Sequence, residues 1–341
     1  MPIAAAIFGC AGPRLSADER AFFGDARPWG FILFARNVET PDQVRALVED
    51  LRGCVGRANA PILIDQEGGR VQRLGPPHWR RYPPGRAYGA LAERDPYAGR
   101  EMARLGARLM AEDLTKLGIN VDCLPVLDVP RPGAHDVIGD RAYGETPDRV
   151  AVLGRAAAEG LIAGGVLPVV KHIPGHGRAQ ADSHLALPVV DAALADLEAR
   201  DFAPFRALSD MPMAMTAHVV YAAIDPQAPA TTSRRVIQTI VRDAIGFDGL
   251  LMSDDLSMKA LSGDFAERAR ASLAAGCDVL LHCNGDMTEM LAVRSGSGAL
   301  SGRAGARADA ALARIVRSPE PFDAEAARVR LEAALRGIWA P

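Results

Sequence analysis

The feature that most constrains this chain is a short, strand-like apolar run that returns eight times, with helix-like stretches between the runs. The runs are Ala4–Phe8, Gly30–Phe34, Pro61–Asp65, Ile119–Leu124, Pro168–Lys171, Met213–Ala217, Leu250–Ser253 and Asp278–His282. They are continuously apolar, the pattern of parallel strands covered by helices on the outside and packed on one another within. The segments between them space apolar residues three and four apart, as in Pro41–Leu51, Asp95–Leu117, Thr146–Ala163, Ala195–Leu208, Ser233–Ile245 and Asp264–Ala275. Thr40-Pro41 and Thr146-Pro147 place proline at a first helical position, where its missing N–H costs nothing. Strands alternating with helices predict a parallel sheet, and eight units predict its closure into a barrel. An open doubly wound sheet competes, but no GxGxxG follows the first run. Beyond the eighth run, Ser295-Gly296-Ser297-Gly298 reads as a flexible connector, followed by helix-like segments over 303–317 and 323–338. The expectation is one α/β catalytic-sized domain over residues 1–341: a single (β/α)8 barrel of the TIM type in 1–290, with extra C-terminal helices in 291–341 packing on it.

Composition excludes several classes of partner. With 42 acidic against 39 basic residues the formal net charge is -3, so there is no polybasic footprint for nucleic acid. No apolar stretch reaches the roughly 18–20 residues that span a bilayer, and the N-terminus lacks the basic region of a signal peptide. Five cysteines (10, 54, 123, 277 and 283) are odd in number and form no CxxC, which fits reduced thiols in a cytoplasmic protein. Nothing in the sequence implies a metal, nucleotide or flavin cofactor. The expected partner is a small-molecule substrate, with no nucleic acid and no membrane; the oligomeric state is not legible. Only Lys116, Lys171 and Lys259 are lysines among the 39 basic residues, so a lysine at a strand end stands out.

Active sites of such barrels form at the C-terminal ends of the strands, and polar residues collect there. The third run leads into Asp65-Gln66-Glu67-Gly68-Gly69-Arg70 and the fourth is followed by Asp128. The fifth leads into Lys171-His172, the sixth into His218, the seventh into Asp254-Asp255 and the eighth into Asn284. One charged residue after a strand is ordinarily a cap, but repetition at strand after strand points to a convergent site. The densest stretch, 171–184, holds Lys171, His172, His176, Asp182 and His184 in a loop that Pro174, Gly175 and Gly177 keep out of helix. Two chemistries could use it. A metal could sit among His172, His176, Asp182 and His184, although this pair of histidines is not on a helix. Alternatively, Asp182 and His184, two apart and on one face of an extended segment, form an acid–base pair in which the carboxylate fixes the ring. Asp254 or Asp255 could be a nucleophile, base or ligand while the other caps the next helix; spacing leaves open which. Asp65, Arg73 and Arg141 could hydrogen-bond a polar ligand such as a sugar.

The run Lys171-His172-Ile173-Pro174-Gly175-His176-Gly177 with Asp182-Ser183-His184 resembles the signature loop of bacterial β-N-acetylhexosaminidases of glycoside hydrolase family 3. The resemblance extends through Asp65–Arg73, Gly139-Asp140-Arg141, Thr216–Val219, Ser253–Met258 and Ala275–Asp278, covering about residues 1–290. It implies a retaining hydrolase that removes terminal non-reducing β-linked N-acetylglucosamine, with Asp254 as nucleophile and His184 as acid/base paired with Asp182. It implies that Asp65, Arg73, Arg141, Lys171 and His172 bind the sugar. The lack of a leader and of a second catalytic domain is similar to the cytosolic enzyme of peptidoglycan recycling, which acts on 1,6-anhydro-N-acetylmuramic acid muropeptides. A histidine that is neutral after the first step would not repel an anion, so a phosphorylase variant is one alternative. A metal-dependent hydrolase on the same barrel is another, and a non-catalytic muropeptide-binding protein a third.

Overall fold

The computed structural model describes every residue except Met1, Pro132, Ala134, His135, 180–186, 316–318, Glu320 and Pro341. Among the described residues, eight strands close a wholly parallel barrel, as the eight runs predict. They are β1 (Ala4–Gly9), β2 (Pro28–Leu33), β3 (Ile62–Ile64), β4 (Val121–Asp122), β5 (Leu167–Ile173), β6 (Met213–Thr216), β7 (Leu250–Asp255) and β8 (Val279–His282). Each pairs with its sequence neighbours and β8 closes on β1, with Ile7 opposite Leu281. The shortest, β4, is prolonged by pairing beyond its end, where Leu127 N–H donates to the Lys171 carbonyl at 2.7 Å.

Within each strand the two faces serve different layers. Leu167 and Val169 of β5, Met213 and Met215 of β6, Leu250 and Met252 of β7, and Val279 and Leu281 of β8 fill the barrel lumen together. The intervening Val170, Ala214 and Leu251 pack outward in a separate cluster with the surrounding helices. Because side chains alternate every residue, the lumen face of β5 continues to Lys171, that of β7 to Asp254 and that of β8 to Cys283. The fold thus carries its apolar filling upward into a polar mouth.

One C-terminal helix seals the opposite end and the other packs on the barrel's outer helices. Helix Gly302–Ala313 places the small side chains of Ala308 and Ala311 against the lumen cluster, and helix Ala324–Ala334 packs on Pro96–Thr115. The connector between barrel and cap is not flexible, contrary to expectation. Ser295 and Gly296 end the helix Met287–Gly296, Ser297 is buried, and the Gly298 carbonyl accepts the Ala5 N–H at 3.0 Å. A Cβ on Gly296 would come within 2.5 Å of the Ala266 carbonyl, so glycine here serves a close helix–helix contact. The expected single helix over Ala195–Leu208 is also broken, into Leu194–Asp196, a wide turn Leu197–Asp201 and Ala203–Ala207. Pro204 has no N–H to continue the ladder, and Phe202 N–H instead reaches the Leu197 carbonyl at 2.9 Å.

Candidate active site

A pocket of about 160 Å³ opens at the C-terminal end of the barrel, and its floor is a cluster of buried charges. Lys171, with 2% of its side chain exposed, donates from Nζ to Asp65 Oδ1 at 2.8 Å and lies 2.7 Å from Glu67 Oε1. Arg73 Nη2 holds the other Asp65 oxygen at 3.1 Å. Arg141 grips Glu67 through two parallel bonds, Nε to Oε2 and Nη2 to Oε1, both 2.8 Å. Such a bidentate pair fixes orientation as well as charge. Burial by itself would raise the Asp65 and Glu67 carboxyls. The cations outweigh it, Lys171 and Arg73 holding Asp65 well below the usual carboxylate range and Arg141 and Lys171 bringing Glu67 to about 2. Burial likewise works against the Lys171 ammonium, yet the two carboxylates raise it above an ordinary lysine. Three cations against two carboxylates leave this floor with one positive charge in excess.

Asp254 stands beside that floor on the pocket wall. Its Oδ1 accepts the Asp255 N–H at 2.8 Å, and its own N–H reaches Thr216 Oγ1 at 3.3 Å. The adjacent acid is tied into the loop instead. Asp255 accepts from the Ser257 N–H at 3.0 Å and the Cys283 N–H at 3.1 Å, joining the tops of β7 and β8. Both acids line the pocket, but Asp255 is bonded into the turn while Asp254 presents its carboxyl beside the charged floor.

Also lining the pocket, His172 and His176 pack edge to face, ring centroids 5.7 Å apart. His172 Nδ1 lies 2.7 Å from Asp128 Oδ2, and the His176 N–H donates to Asp128 Oδ1 at 2.6 Å. Burial, helped by His172, pushes the His176 imidazole down to about 4, so it is neutral at pH 7. His218, a strand-end candidate, is fully buried with its ring on Thr231 Oγ1 (2.7 Å) and the Asp255 carbonyl (3.0 Å), where it braces the tops of β6 and β7. Asn284 lies outside the pocket lining.

Of the residues singled out in the sequence, Asp65, Arg73, Arg141, Lys171, His172 and Asp254 come together around one cavity. Asp182 and His184 lie outside the described residues, as does the four-residue metal set that includes them. Among the described residues no three His, Cys, Asp or Glu side chains are grouped to hold a metal ion. Sequence reasoning missed Glu67 as a site residue. The signal was present, since Asp65 and Glu67 are two apart and share a face in an extended segment. It also missed the apolar side of the cavity, formed by Ile32, Phe34, Val137, Ile138, Met215 and Met258.

The cavity thus combines a charged floor, an apolar wall and a carboxylate at the end of β7. Comparison with known proteins then gives the lineage. The family described as "Glycosyl hydrolase family 3 N terminal domain" matches residues 11–318. The chain belongs to glycoside hydrolase family 3. Within that family it falls with the bacterial β-N-acetylhexosaminidases. It is 45% identical over 282 residues to a β-hexosaminidase of Methylococcus capsulatus, covering 82% of each chain. It is 41% identical over 280 residues to one of Bordetella avium, covering 80% of this chain and 79% of that one. The native NagZ structure from Neisseria gonorrhoeae superposes with a TM-score of 0.86 at 34% identity, covering 100% of this chain and 99% of that one. As a family 3 member the chain is a glycoside hydrolase, with its barrel complete and its charged floor at the expected end.

Proposed function

We propose that this chain is a retaining β-N-acetylhexosaminidase that releases terminal non-reducing β-linked N-acetylglucosamine. The observation that carries the reading is Asp254 at the end of β7, beside the cradle of Asp65, Glu67, Arg73, Arg141 and Lys171. The cradle's carboxylates and cations accept from and donate to sugar hydroxyls, while the apolar wall receives the face of the ring. In the first step an Asp254 carboxylate oxygen bonds to the anomeric carbon, the glycosidic C–O bond breaks, and His184 passes its proton to the departing oxygen. In the second, His184 takes a proton from water, the water oxygen bonds to the anomeric carbon, and Asp254 leaves as the carboxylate. Asp182 orients His184. A histidine in the acid role replaces one of the two carboxylates usual in retaining glycosidases, so the usual carboxyl spacing does not apply.

The reading of N-acetylglucosamine as substrate is supported by NagZ of Neisseria gonorrhoeae, 33% identical, whose structure holds N-trifluoroacetyl-D-glucosamine. The finer reading is a cytoplasmic enzyme acting on 1,6-anhydro-N-acetylmuramic acid muropeptides in peptidoglycan recycling, with residues 1–341 as one catalytic domain. No helix among the described residues is long and apolar enough to cross a membrane.

The test is turnover of a chromogenic β-N-acetylglucosaminide by metal-stripped protein in phosphate-free buffer containing chelator. The chelator matters because the Neisseria gonorrhoeae enzyme has also been crystallised with a zinc ion. Chromophore release under these conditions is the expected result. Release that returns only with zinc hands the histidine loop to metal chemistry, and release only with added phosphate makes the enzyme a phosphorylase.

A further inference from the structure

Asp128 is fully buried between the two histidines and divides its oxygens between two tasks. Oδ1 accepts two backbone N–H groups at the root of the 172–184 loop, from His176 at 2.6 Å and from His172 at 3.3 Å. Oδ2 lies 2.7 Å from the ring nitrogen Nδ1 of His172. The segment after β4 that carries Asp128 is registered on β5 immediately before it, by the Leu127 N–H to Lys171 carbonyl bond at 2.7 Å and the Lys171 N–H to Pro125 carbonyl bond at 3.1 Å. The carboxyl therefore meets the histidines from a fixed position rather than from a mobile loop.

An ionised carboxylate can only accept hydrogen bonds. Burial raises the Asp128 carboxyl, but His172 and His176 together bring it below its usual value, so it is ionised at neutral pH. The nitrogen facing it must then carry a proton. In a neutral imidazole, a proton on Nδ1 leaves Nε2 as the acceptor on the far edge of the ring, and His172 lines the pocket.

We infer that Asp128 is a positioning residue: it fixes His172 as the Nδ1–H tautomer, so that Nε2 is held ready to accept a hydrogen bond from a sugar hydroxyl. The inference rests on reading the cavity as a sugar site. It explains why a carboxylate, rather than an amide or a hydroxyl, sits here. Either of the latter could satisfy the backbone N–H groups, but an amide turned to satisfy them presents its NH2 to the ring. In Asp128→Asn the amide oxygen keeps the two backbone bonds while NH2 replaces Oδ2. Two donors would face each other, and the ring proton moves to Nε2. The pocket-facing nitrogen then becomes a donor where the ligand hydroxyl needs an acceptor.

Two measurements test this. The first is 15N NMR of ring-labelled histidine, with His172 assigned by comparison with His172→Phe. The expected spectrum shows Nδ1 protonated in the wild type and Nε2 protonated in Asp128→Asn. A wild-type ring carrying a proton on Nε2, alone or together with Nδ1, overturns the inference, and this reading needs no turnover. The second is a double-mutant cycle on a chromogenic β-N-acetylglucosaminide. Asp128→Asn is expected to lower kcat/KM about 10–100-fold, the worth of a hydrogen bond to a charged or tightly held group. In the His172→Phe background the same change should cost less than about 2-fold, because Asp128 acts through the ring. A full loss in that background means that Asp128 serves only as a loop clamp, and the inference fails. A wild-type protein inactive on the glycoside, with the Nδ1–H tautomer intact, instead removes the functional reading and leaves the positioning one standing.

Discussion

Lys171→Met tests whether the pocket floor is held by charge compensation. The side chain is 2% exposed and touches both Asp65 and Glu67 within 2.8 Å, so methionine fills the volume while removing the charge. Arg73 and Arg141 stay with their carboxylates, but each acid loses a partner on its buried side. Breaking a buried ion pair from one side typically costs about 3–5 kcal/mol. A chain of this length carries roughly 0.7 kcal/mol/K of unfolding entropy, so Tm should fall by about 4–7 °C at pH 7. The pH dependence carries the sharper information. In the wild type both carboxyls are held below their unfolded values, Glu67 to about 2. Their contribution to stability is therefore present above the unfolded range near pH 4 and is lost as the pH falls toward 2. Without Lys171 burial gains the upper hand and both values rise, so the folded variant takes up protons more readily than the wild type. The stability gap between the two proteins should consequently shrink as the pH is lowered from 7 toward 4. Chemical denaturation at several pH values in that range measures it. A gap below about 1 kcal/mol at pH 7, or one that widens on acidification, would refute the compensation argument.

The neighbouring acids at the end of β7 should behave differently from each other. Asp254→Ala is expected to abolish glycoside turnover, by several orders of magnitude, with little change in Tm. Asp255→Asn weakens the joint between β7 and β8, and should lower stability by about 1–3 kcal/mol while retaining measurable activity; steady-state kinetics and thermal melts on both variants separate the roles. His184→Ala should slow natural disaccharides more than activated aryl glycosides, because a good leaving group needs little protonation. Equal losses on the two substrates would count against an acid role for His184.

Much of the barrel is legible because its strands are buried on both faces and read as unbroken apolar runs. The site was legible at its strand ends, where Asp65, Lys171 and Asp254 interrupt those runs with charge. Period-two alternation carried more than was taken from it. Leu250 and Met252 share the lumen face, and the same count carries Asp254 into the pocket beside the charged floor. The same count joins Glu67 to Asp65. Other features had no comparable signal. The helix Gly85–Arg94 has five glycine and alanine residues among its ten and buries a narrow face around Tyr88, Leu91 and Ala92, a weak signal in the sequence. The seal of the lumen rests on Ala308 and Ala311, side chains too common to mark a position. Ser295–Gly298 has a linker's composition, yet its glycine answers a tertiary contact with the Ala266 carbonyl rather than a need for freedom. The role of Asp128 was hidden because its partners, His172 and His176, lie 44 and 48 residues away.

The central claim is that Asp254 forms a covalent bond to the sugar, and trapping that species tests it most directly. The protein would be incubated with a fluorinated N-acetylglucosaminyl fluoride, whose slow second step lets the glycosyl-enzyme accumulate, then digested and analysed by mass spectrometry. The account expects one added sugar on the peptide that contains Asp254, and none in Asp254→Ala. An adduct on another residue, or steady release of the sugar as the inverted anomer with no adduct, would contradict it.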